Sequence, residues 1–185
     1  MNEVQAVKTP AQIDKVETLL AERGQVYADV WRIGINLALR IGDLLSLKFS
    51  DVEDDFLELV EQKTGKRRTI KINAVARAVI ERRRADNPHH VWLFQSDANR
   101  SKRLVKPLSR EVVARVFKQV GEGKSVKVKL GTHSMRKTRG WIMYSNGAPI
   151  ERIAKTLNHS SPAVTMRYIG LEQADIDAGY DEFCI

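Results

Sequence analysis

The first third of the chain has the apolar spacing of helices. Thr9 and Pro10 form a helix-start signal, and apolar residues then recur at helical intervals until Gly24. A second helix is predicted over residues 26–38 from the same spacing. Arg40 separates it from a short third helix, whose apolar residues are Leu44, Leu45 and Leu47.

Between residues 56 and 72 the spacing changes to that of a β-hairpin. Two strand-like runs, 56–62 and 67–72, flank the sequence Lys-Thr-Gly-Lys at 63–66. A glycine-containing turn between two such runs predicts antiparallel pairing.

The remainder is mostly helical again. A helix is predicted over 74–84, a short buried strand or loop over 91–94, and a Ser-capped helix over 109–120. Three further helices are predicted over 132–146, 149–157 and 161–168, the last two with a proline in the first turn. The predicted fold is mainly α with one small antiparallel β-hairpin, an α+β arrangement.

Composition narrows the class of protein. A chain of 185 residues that is 43% hydrophobic can bury one compact core. No apolar run is long enough to span a bilayer and the N-terminus lacks a signal-peptide pattern, so a cytoplasmic protein is expected. The single cysteine, Cys184, excludes an internal disulfide and a two-cysteine metal site.

Charge is unevenly distributed along the chain. The formal net charge is +8, yet residues 172–185 hold five acidic residues and no Lys or Arg. Residues 100–139 hold 13 Lys and Arg against Glu111 and Glu122. Such density is typical of a nucleic-acid-binding surface, and a merely solvated basic face is the alternative.

Four polar residues in the C-terminal third are candidates for chemistry. His133 and Arg136 are three residues apart and share a helix face, His159 lies in a turn, and Tyr168 follows nine residues later. Each alone would fit a structural role, such as a helix cap, a satisfied loop histidine or a core tyrosine. Their combination and order carry more information than any single member.

That combination resembles the tyrosine recombinase (phage integrase) family over nearly the whole chain. LALRIGDLLSLKFSDV is similar to the family's first arginine box, which contains Arg40. HSMRKTRGWIMYSNGAPIERIAKTLNHSSPAVTMRYIG is similar to the second box, with His133 and Arg136, then His159, then Tyr168. The hairpin VEQKTGKRRTIKI resembles the family's lysine-bearing strand pair, and its position best matches Lys63, with Lys66 as the alternative.

The resemblance implies a site-specific DNA recombinase that cuts and rejoins strands through a 3′-phosphotyrosyl intermediate. Arg40 and Arg136 would clamp the phosphate, Lys63 would protonate the leaving oxygen, and Tyr168 would be the nucleophile. By the same resemblance, His133 helps to accept the tyrosine proton and His159 hydrogen-bonds a phosphate oxygen. No cofactor and no metal are expected, because the arginines supply the positive charge.

Three departures from the family pattern are visible. Asn158 stands where glycine is usual, but asparagine tolerates the left-handed conformation that such a turn needs. Asp43 stands where glutamate is usual. Only about 25 residues precede the first arginine-box helix, so we expect a catalytic domain over 1–171, an acidic tail over 172–185, and no N-terminal core-binding domain.

Other functions remain open at this point. A type IB topoisomerase-like enzyme would use the same chemistry to relax DNA, and a non-catalytic DNA-binding regulator would use the same fold. An RNA-binding protein would explain the charge but not the set of catalytic residue types. The expected partners are double-stranded DNA and other copies of the chain, as a tetramer on DNA and a monomer when free, with the tail docked on a basic surface or left as an inert end.

Overall fold

A computed structural model describes residues 4–96, 105–123 and 125–171 of the chain. It contains eight α-helices, one 3₁₀-helix and two strands within those ranges. Their bounds are α1 Pro10–Ala21, α2 Gln25–Leu37, α3 Ile41–Leu45, the 3₁₀-helix Phe49–Val52, β1 Phe56–Val60, β2 Arg67–Lys71, α4 Ala74–Asp86, α5 Arg110–Gly121, α6 Ser134–Ser145, α7 Ile150–Leu157 and α8 Pro162–Ile169.

The predicted fold class is confirmed: the described residues are mainly helical with a single antiparallel strand pair. In that pair Phe56 lies opposite Lys71 and Val60 opposite Arg67. The strands are shorter than predicted, because the backbone N–H of Gln62 donates to the Asp43 carboxylate at 2.9 Å. Strand β1 therefore ends at Val60, two residues earlier than predicted, and beyond it the Glu61 N–H donates to the Lys66 carbonyl at 3.0 Å.

Side-chain caps start the helices where the sequence placed them. Thr9, Asn73, Ser109 and Ser161 each accept a hydrogen bond from a first-turn backbone N–H of α1, α4, α5 and α8 respectively. The third helix ends at Leu45, so Leu47 lies beyond it, although its side chain is buried. Residues 91–94 form a loop with one isolated bridge from Trp92 to Lys48.

Two apolar clusters hold the helices together. The larger one contains Trp31, whose ring meets Phe117 edge to face at 5.8 Å and whose indole N–H donates to the Ile13 carbonyl. The smaller one joins Ala38 to the facing sides of α7 and α8. The described helices include none long and apolar enough to cross a membrane.

The smaller cluster allows α6 and α8 to approach closely. Gly140 of α6 faces Ile169 of α8, and a Cβ atom at Gly140 would lie 2.6 Å from the Ile169 Cγ2 atom. A side chain there would force the two helices apart. The glycine thus permits α8, the helix that carries Tyr168, to pack closely against α6.

Candidate active site

A buried carboxylate lies at the centre of the polar cluster. Glu61 follows β1 directly, is fully buried, and accepts hydrogen bonds from four side chains. One carboxylate oxygen accepts from Arg40 and from the Thr64 hydroxyl, both at 2.7 Å, and also from the Asn158 amide. The other accepts from Arg68 at 2.9 Å.

These donors decide the charge of Glu61. Burial alone would raise the pKa of the carboxyl group, but the hydrogen bonds from Thr64, Asn158, Arg40 and Arg68 outweigh it and lower the pKa from 4.5 to about 2. Glu61 is therefore ionised at neutral pH. Its single negative charge offsets one of the two positive charges of Arg40 and Arg68 before any ligand arrives.

The turn after α7 is tied to this carboxylate. Asn158 adopts the predicted left-handed conformation, with φ 49° and ψ 50°, and ends α7. Its side chain then reaches Glu61, a contact that a glycine could not make. Arg68 adds a second link, because it also donates to the Thr156 carbonyl at 2.8 Å.

Arg136 is held by backbone carbonyls. Its side chain is almost fully buried on α6, and its two terminal nitrogens donate to the carbonyls of Ala38 and Leu157. Ala38 ends α2 in a left-handed conformation with φ 52°. The ends of α2 and α7 thus fix the Arg136 guanidinium group, which stays protonated although burial lowers its pKa.

Tyr168 lies between the two histidines. Its hydroxyl is 3.2 Å from the Nδ1 atom of His133, and its ring meets the His159 ring edge to face at 4.7 Å. Burial raises the pKa of Tyr168, while the charges of Arg136 and Arg40 act in the opposite direction. The phenol is therefore protonated at neutral pH, and its use as a nucleophile needs a base.

His133 has the protonation state that such a base requires. Partial desolvation, together with the cations Arg136, Arg110, Lys63 and Arg40, lowers its pKa below 6.5. The imidazole is therefore neutral at physiological pH. Its Nδ1 atom can accept the proton of the Tyr168 hydroxyl.

His159 is held by a buried threonine. Its Nδ1 atom lies 3.0 Å from the Thr165 hydroxyl, which is also within 3.2 Å of the Ser161 carbonyl. Burial and the charges of Arg136 and Arg40 lower the pKa of His159 to about 4. The ring is neutral in the free protein, so only one of its two nitrogens carries a proton.

A cleft of about 420 Å³ opens in front of the cluster. Arg40, Lys63 and His133 line it, and Arg110 from the first turn of α5 completes its basic wall. Lys66, the alternative to Lys63, is exposed and does not line the cleft. The structure thus brings together all six residues singled out in the sequence, namely Arg40, Lys63, His133, Arg136, His159 and Tyr168.

Sequence reasoning missed four residues of the site: Glu61, Arg68, Arg110 and Thr165. For Glu61 a signal existed, because strict alternation from Leu57 through Leu59 places it on the buried face of the strand. A charged residue at a buried position needs a partner, and Lys63 and Arg68 are close in sequence. The other three carry no signal of this kind.

Two predictions lie wholly or partly outside the described residues. The acidic tail, 172–185, is one of them, and the basic run 100–139, of which residues 100–104 and 124 are not described, is the other. Among the residues that are described, no group of three His, Cys, Asp or Glu side chains could hold a metal ion.

Similar sequences are found among integrases and recombinases. Residues 11–174 match the model of the phage integrase family. The chain is 34% identical to the probable integrase/recombinase YoeC of Bacillus subtilis (strain 168), over 99% of this chain and 98% of that protein. It is 28% identical to the integrase of Enterobacteria phage P21, over 90% of this chain and 49% of that protein.

Solved structures share the fold at low sequence identity. The XerA recombinase superposes with a TM-score of 0.75 at 18% identity, over 98% of this chain and 65% of that one. A lambda integrase tetramer bound to a Holliday junction superposes with a TM-score of 0.73 at 16% identity, over 93% of this chain and 51% of that one. The chain therefore corresponds to one part of these larger proteins.

Replacing Glu61 by Gln tests the central carboxylate. The substitution leaves the partly buried Arg40 and Arg68 without a countercharge, so the free energy of unfolding at pH 7 should fall by about 3 kcal/mol. The contribution of Glu61 is complete above its unfolded pKa of 4.5 and is lost as the pH falls towards 2. The difference between variant and wild type should shrink over that window.

Urea unfolding at several pH values between 3 and 7 measures this difference. Glu58→Gln, on the exposed face of β1, is the matched control and should change stability by less than about 0.5 kcal/mol. Equal stability of Glu61→Gln and wild type at pH 7 would show that the carboxylate does not hold the cluster.

Proposed function

The chain belongs to the phage integrase family of site-specific recombinases, and we propose that it cuts and rejoins DNA with Tyr168 as its nucleophile. The observation that carries this proposal is the position of the Tyr168 hydroxyl, 3.2 Å from His133 and beside the buried Arg136. A nucleophile, a base and a fixed cation thus meet at one point.

The proposed reaction is a transesterification at phosphorus. The Tyr168 oxygen attacks a DNA phosphate and transfers its proton to His133 Nδ1. A bond forms between the tyrosine oxygen and phosphorus, and the bond from phosphorus to the 5′ oxygen breaks. The products are a 3′-phosphotyrosyl link and a free 5′ hydroxyl.

Negative charge accumulates on the non-bridging oxygens during this step. Arg40 and Arg136 are the proposed clamps, because each guanidinium group is fixed before DNA binds, by Glu61 in one case and by two carbonyls in the other. Donors that need no reorganisation stabilise the transition state most. His159 is proposed to donate a further hydrogen bond to a phosphate oxygen.

The leaving 5′ oxygen requires a proton. Lys63 is the proposed general acid, because it lies in the hairpin turn and lines the cleft together with Arg40 and His133. A lysine ammonium group within reach of the leaving oxygen can donate the proton that this oxygen needs. When a 5′ hydroxyl attacks the phosphotyrosyl link, the same groups act in reverse and the bond is restored without a cofactor.

The DNA substrate of this chain and its assembly on DNA are part of the same proposal. We infer that the chain binds double-stranded DNA, is a monomer when free and forms a tetramer on DNA, as the lambda integrase bound to a Holliday junction does. Residues 1–171 are the proposed catalytic domain and 172–185 an acidic tail. A cytoplasmic location is inferred as well, since bacterial and phage DNA lies there.

A DNA-relaxing enzyme and a non-catalytic regulator are the alternatives. Every position of the proposed site holds a residue competent for its role, which disfavours a regulator. Exchange of strands between two duplexes, compared with relaxation of one supercoiled plasmid, separates recombination from topoisomerase activity. Recombinant joints are the expected product.

Tyr168→Phe should abolish covalent capture of DNA. The change removes one hydroxyl and no positive charge, so DNA affinity should remain within about threefold of wild type. A suicide substrate with a nick near the cleavage site traps the adduct, which is counted on a denaturing gel. Tyr144→Phe, on the partly exposed face of α6, is the control and should form the adduct normally. Adduct formation by Tyr168→Phe would show that another residue is the nucleophile.

Lys63→Ala should be rescued by a better leaving group. Loss of a general acid typically lowers the rate by about 10²- to 10⁴-fold. A substrate with sulfur at the 5′-bridging position should restore cleavage, because a thiolate leaves without a proton.

Two variants are the controls. Arg136→Ala should not be rescued, since its charge acts on the non-bridging oxygens. Lys66→Ala should cleave the ordinary substrate almost normally. Rescue of Lys66→Ala instead would move the general acid three residues along the hairpin.

Thr165 is proposed to position His159 for donation. The Thr165 hydroxyl has one proton, and when it donates to the Ser161 carbonyl, its oxygen can accept from His159 Nδ1. Binding of a phosphate would favour a protonated ring, with Nδ1–H on Thr165 and Nε2–H on the phosphate. The threonine oxygen thus stabilises the charged, donating form of His159.

Thr165→Val should therefore lower the single-turnover cleavage rate by about tenfold or more. Because the variant loses an acceptor for the protonated ring, the pKa of His159 in the DNA complex should fall. The alkaline limb of the pH–rate profile should therefore shift to lower pH. Thr165→Ser should restore both rate and profile. A Thr165→Val enzyme with the wild-type pH profile would restrict Thr165 to a structural role.

A further inference from the structure

A second basic concavity lies beside the active site. It has a volume of about 580 Å³ and is formed where β2 meets α6 and α7. We call it the Arg139 pocket. Its basic lining residues are Arg68, Lys71, Arg139, Arg152 and Lys155.

The charge of this pocket is not balanced by its own walls. Its lining contains no Asp or Glu. Among the described residues, none forms an ion pair with Lys71, Arg139, Arg152 or Lys155. Arg83, by contrast, is buried on α4 and paired with Asp29 at 2.7 Å. Several unpaired cations around one concavity repel each other and favour an anionic ligand.

Arg139 shows the imbalance most clearly. Its side chain is half-buried, and its Nε atom is buried without a hydrogen-bond acceptor in the described part of the chain. Burial lowers its pKa, and no neighbouring carboxylate opposes this effect. A desolvated guanidinium group with an unused donor is stabilised by an oxyanion, which supplies both charge and acceptor.

The pocket shares a side chain with the proposed phosphate clamp. Arg68 lines the pocket and bonds Glu61, and Glu61 bonds Arg40 in the cleft. The same hairpin carries Lys63 into the cleft at its turn. Strand β2 rises about 3.3 Å per residue, so the stretch from Arg68 to Lys71 covers roughly 10 Å. Phosphates follow one another every 3.4 Å or so along the axis of each DNA strand.

We propose that the Arg139 pocket binds backbone phosphate groups of the DNA substrate, at a position separate from the phosphate that is cleaved. This proposal rests on the proposed function, because it takes DNA as the substrate. Phosphate is the chemistry that fits: arginine presents a planar fork to two phosphate oxygens, and two of the lining arginines have no carboxylate partner. The pocket would thus extend the DNA-binding surface along β2, away from the reacting atoms.

The double variant Arg152→Gln/Lys155→Gln tests the proposal without touching the clamp. Both side chains are exposed on α7, and glutamine keeps the helix propensity high. Lys15→Gln/Arg23→Gln, two exposed positions outside the pocket, is the control with the same reduction in charge. Binding to a short duplex is measured between 50 and about 200 mM salt, a range that resolves counterion release.

The pocket variant should bind DNA at least tenfold more weakly than wild type at low salt. Its slope of log affinity against log salt should be smaller by about 2, which is roughly one unit for each phosphate that the variant no longer neutralises. The control variant should leave the slope unchanged. At saturating DNA the rate of covalent adduct formation should stay close to wild type, because Tyr168, His133 and Arg136 are not among the residues that line the pocket.

Single neutral methylphosphonate linkages then locate the phosphates that the pocket binds. In wild type, neutralising such a phosphate should weaken affinity, and the pocket variant should not show this penalty.

Wild-type slope and affinity in the pocket variant would overturn the proposal. So would a variant whose only defect is weaker association between copies of the chain, because the pocket would then hold an acidic polypeptide segment. Failure of wild type to form any adduct, with the slope change intact, would refute the proposed reaction and leave the pocket assignment standing.

Discussion

The hydrogen bonds to the buried Glu61 carboxylate are the interaction on which the site depends. They come from four separate segments: the start of α3, the hairpin turn, strand β2 and the turn after α7. The positive charges of Arg40 and Arg68 repel each other in this partly buried setting, and the carboxylate between them holds the two guanidinium groups close together. Four donors from four segments converge on one carboxylate, so we expect Glu61 to set the relative positions of these segments.

A second constraint comes from the ends of two helices. Ala38 and Asn158 both adopt left-handed conformations, and the carbonyls of Ala38 and Leu157 bind Arg136. The Asn158 side chain also donates to Glu61, which binds Arg40, while the neighbouring Leu157 carbonyl binds Arg136. The turn after α7 therefore links the positions of the two arginines. Two cations are thus held in place by the fold itself, which is the preorganisation that phosphoryl chemistry requires.

Much of this arrangement could be predicted from the sequence. The mainly helical fold with one hairpin, the caps at Thr9, Ser109 and Ser161, and the left-handed Asn158 follow from local rules and are confirmed. The family suggested by the two arginine boxes is confirmed by the match over residues 11–174. The catalytic roles assigned to the individual residues stay predictions.

The rest depended on contacts between distant segments. Glu61 and Asn158 are 97 residues apart, and no local pattern pairs them. Strand β1 ends early because Asp43, 19 residues away from Gln62, accepts from the Gln62 backbone N–H. Thr165 resembles any helix threonine until the fold places His159 on its hydroxyl. Such contacts arise only when the chain folds, so sequence spacing alone could not reveal them.

Single-turnover kinetics of Glu61→Gln test most directly whether Glu61 orients the Arg40 guanidinium group before DNA binds. The rate of adduct formation is measured at saturating DNA, at a temperature where circular dichroism shows the variant folded, together with its dissociation constant for DNA. We expect a rate lower by about a hundredfold, the typical effect when a preorganised donor is disturbed, with the dissociation constant changed only a few-fold. A folded Glu61→Gln enzyme that cleaves at the wild-type rate would contradict this role of Glu61.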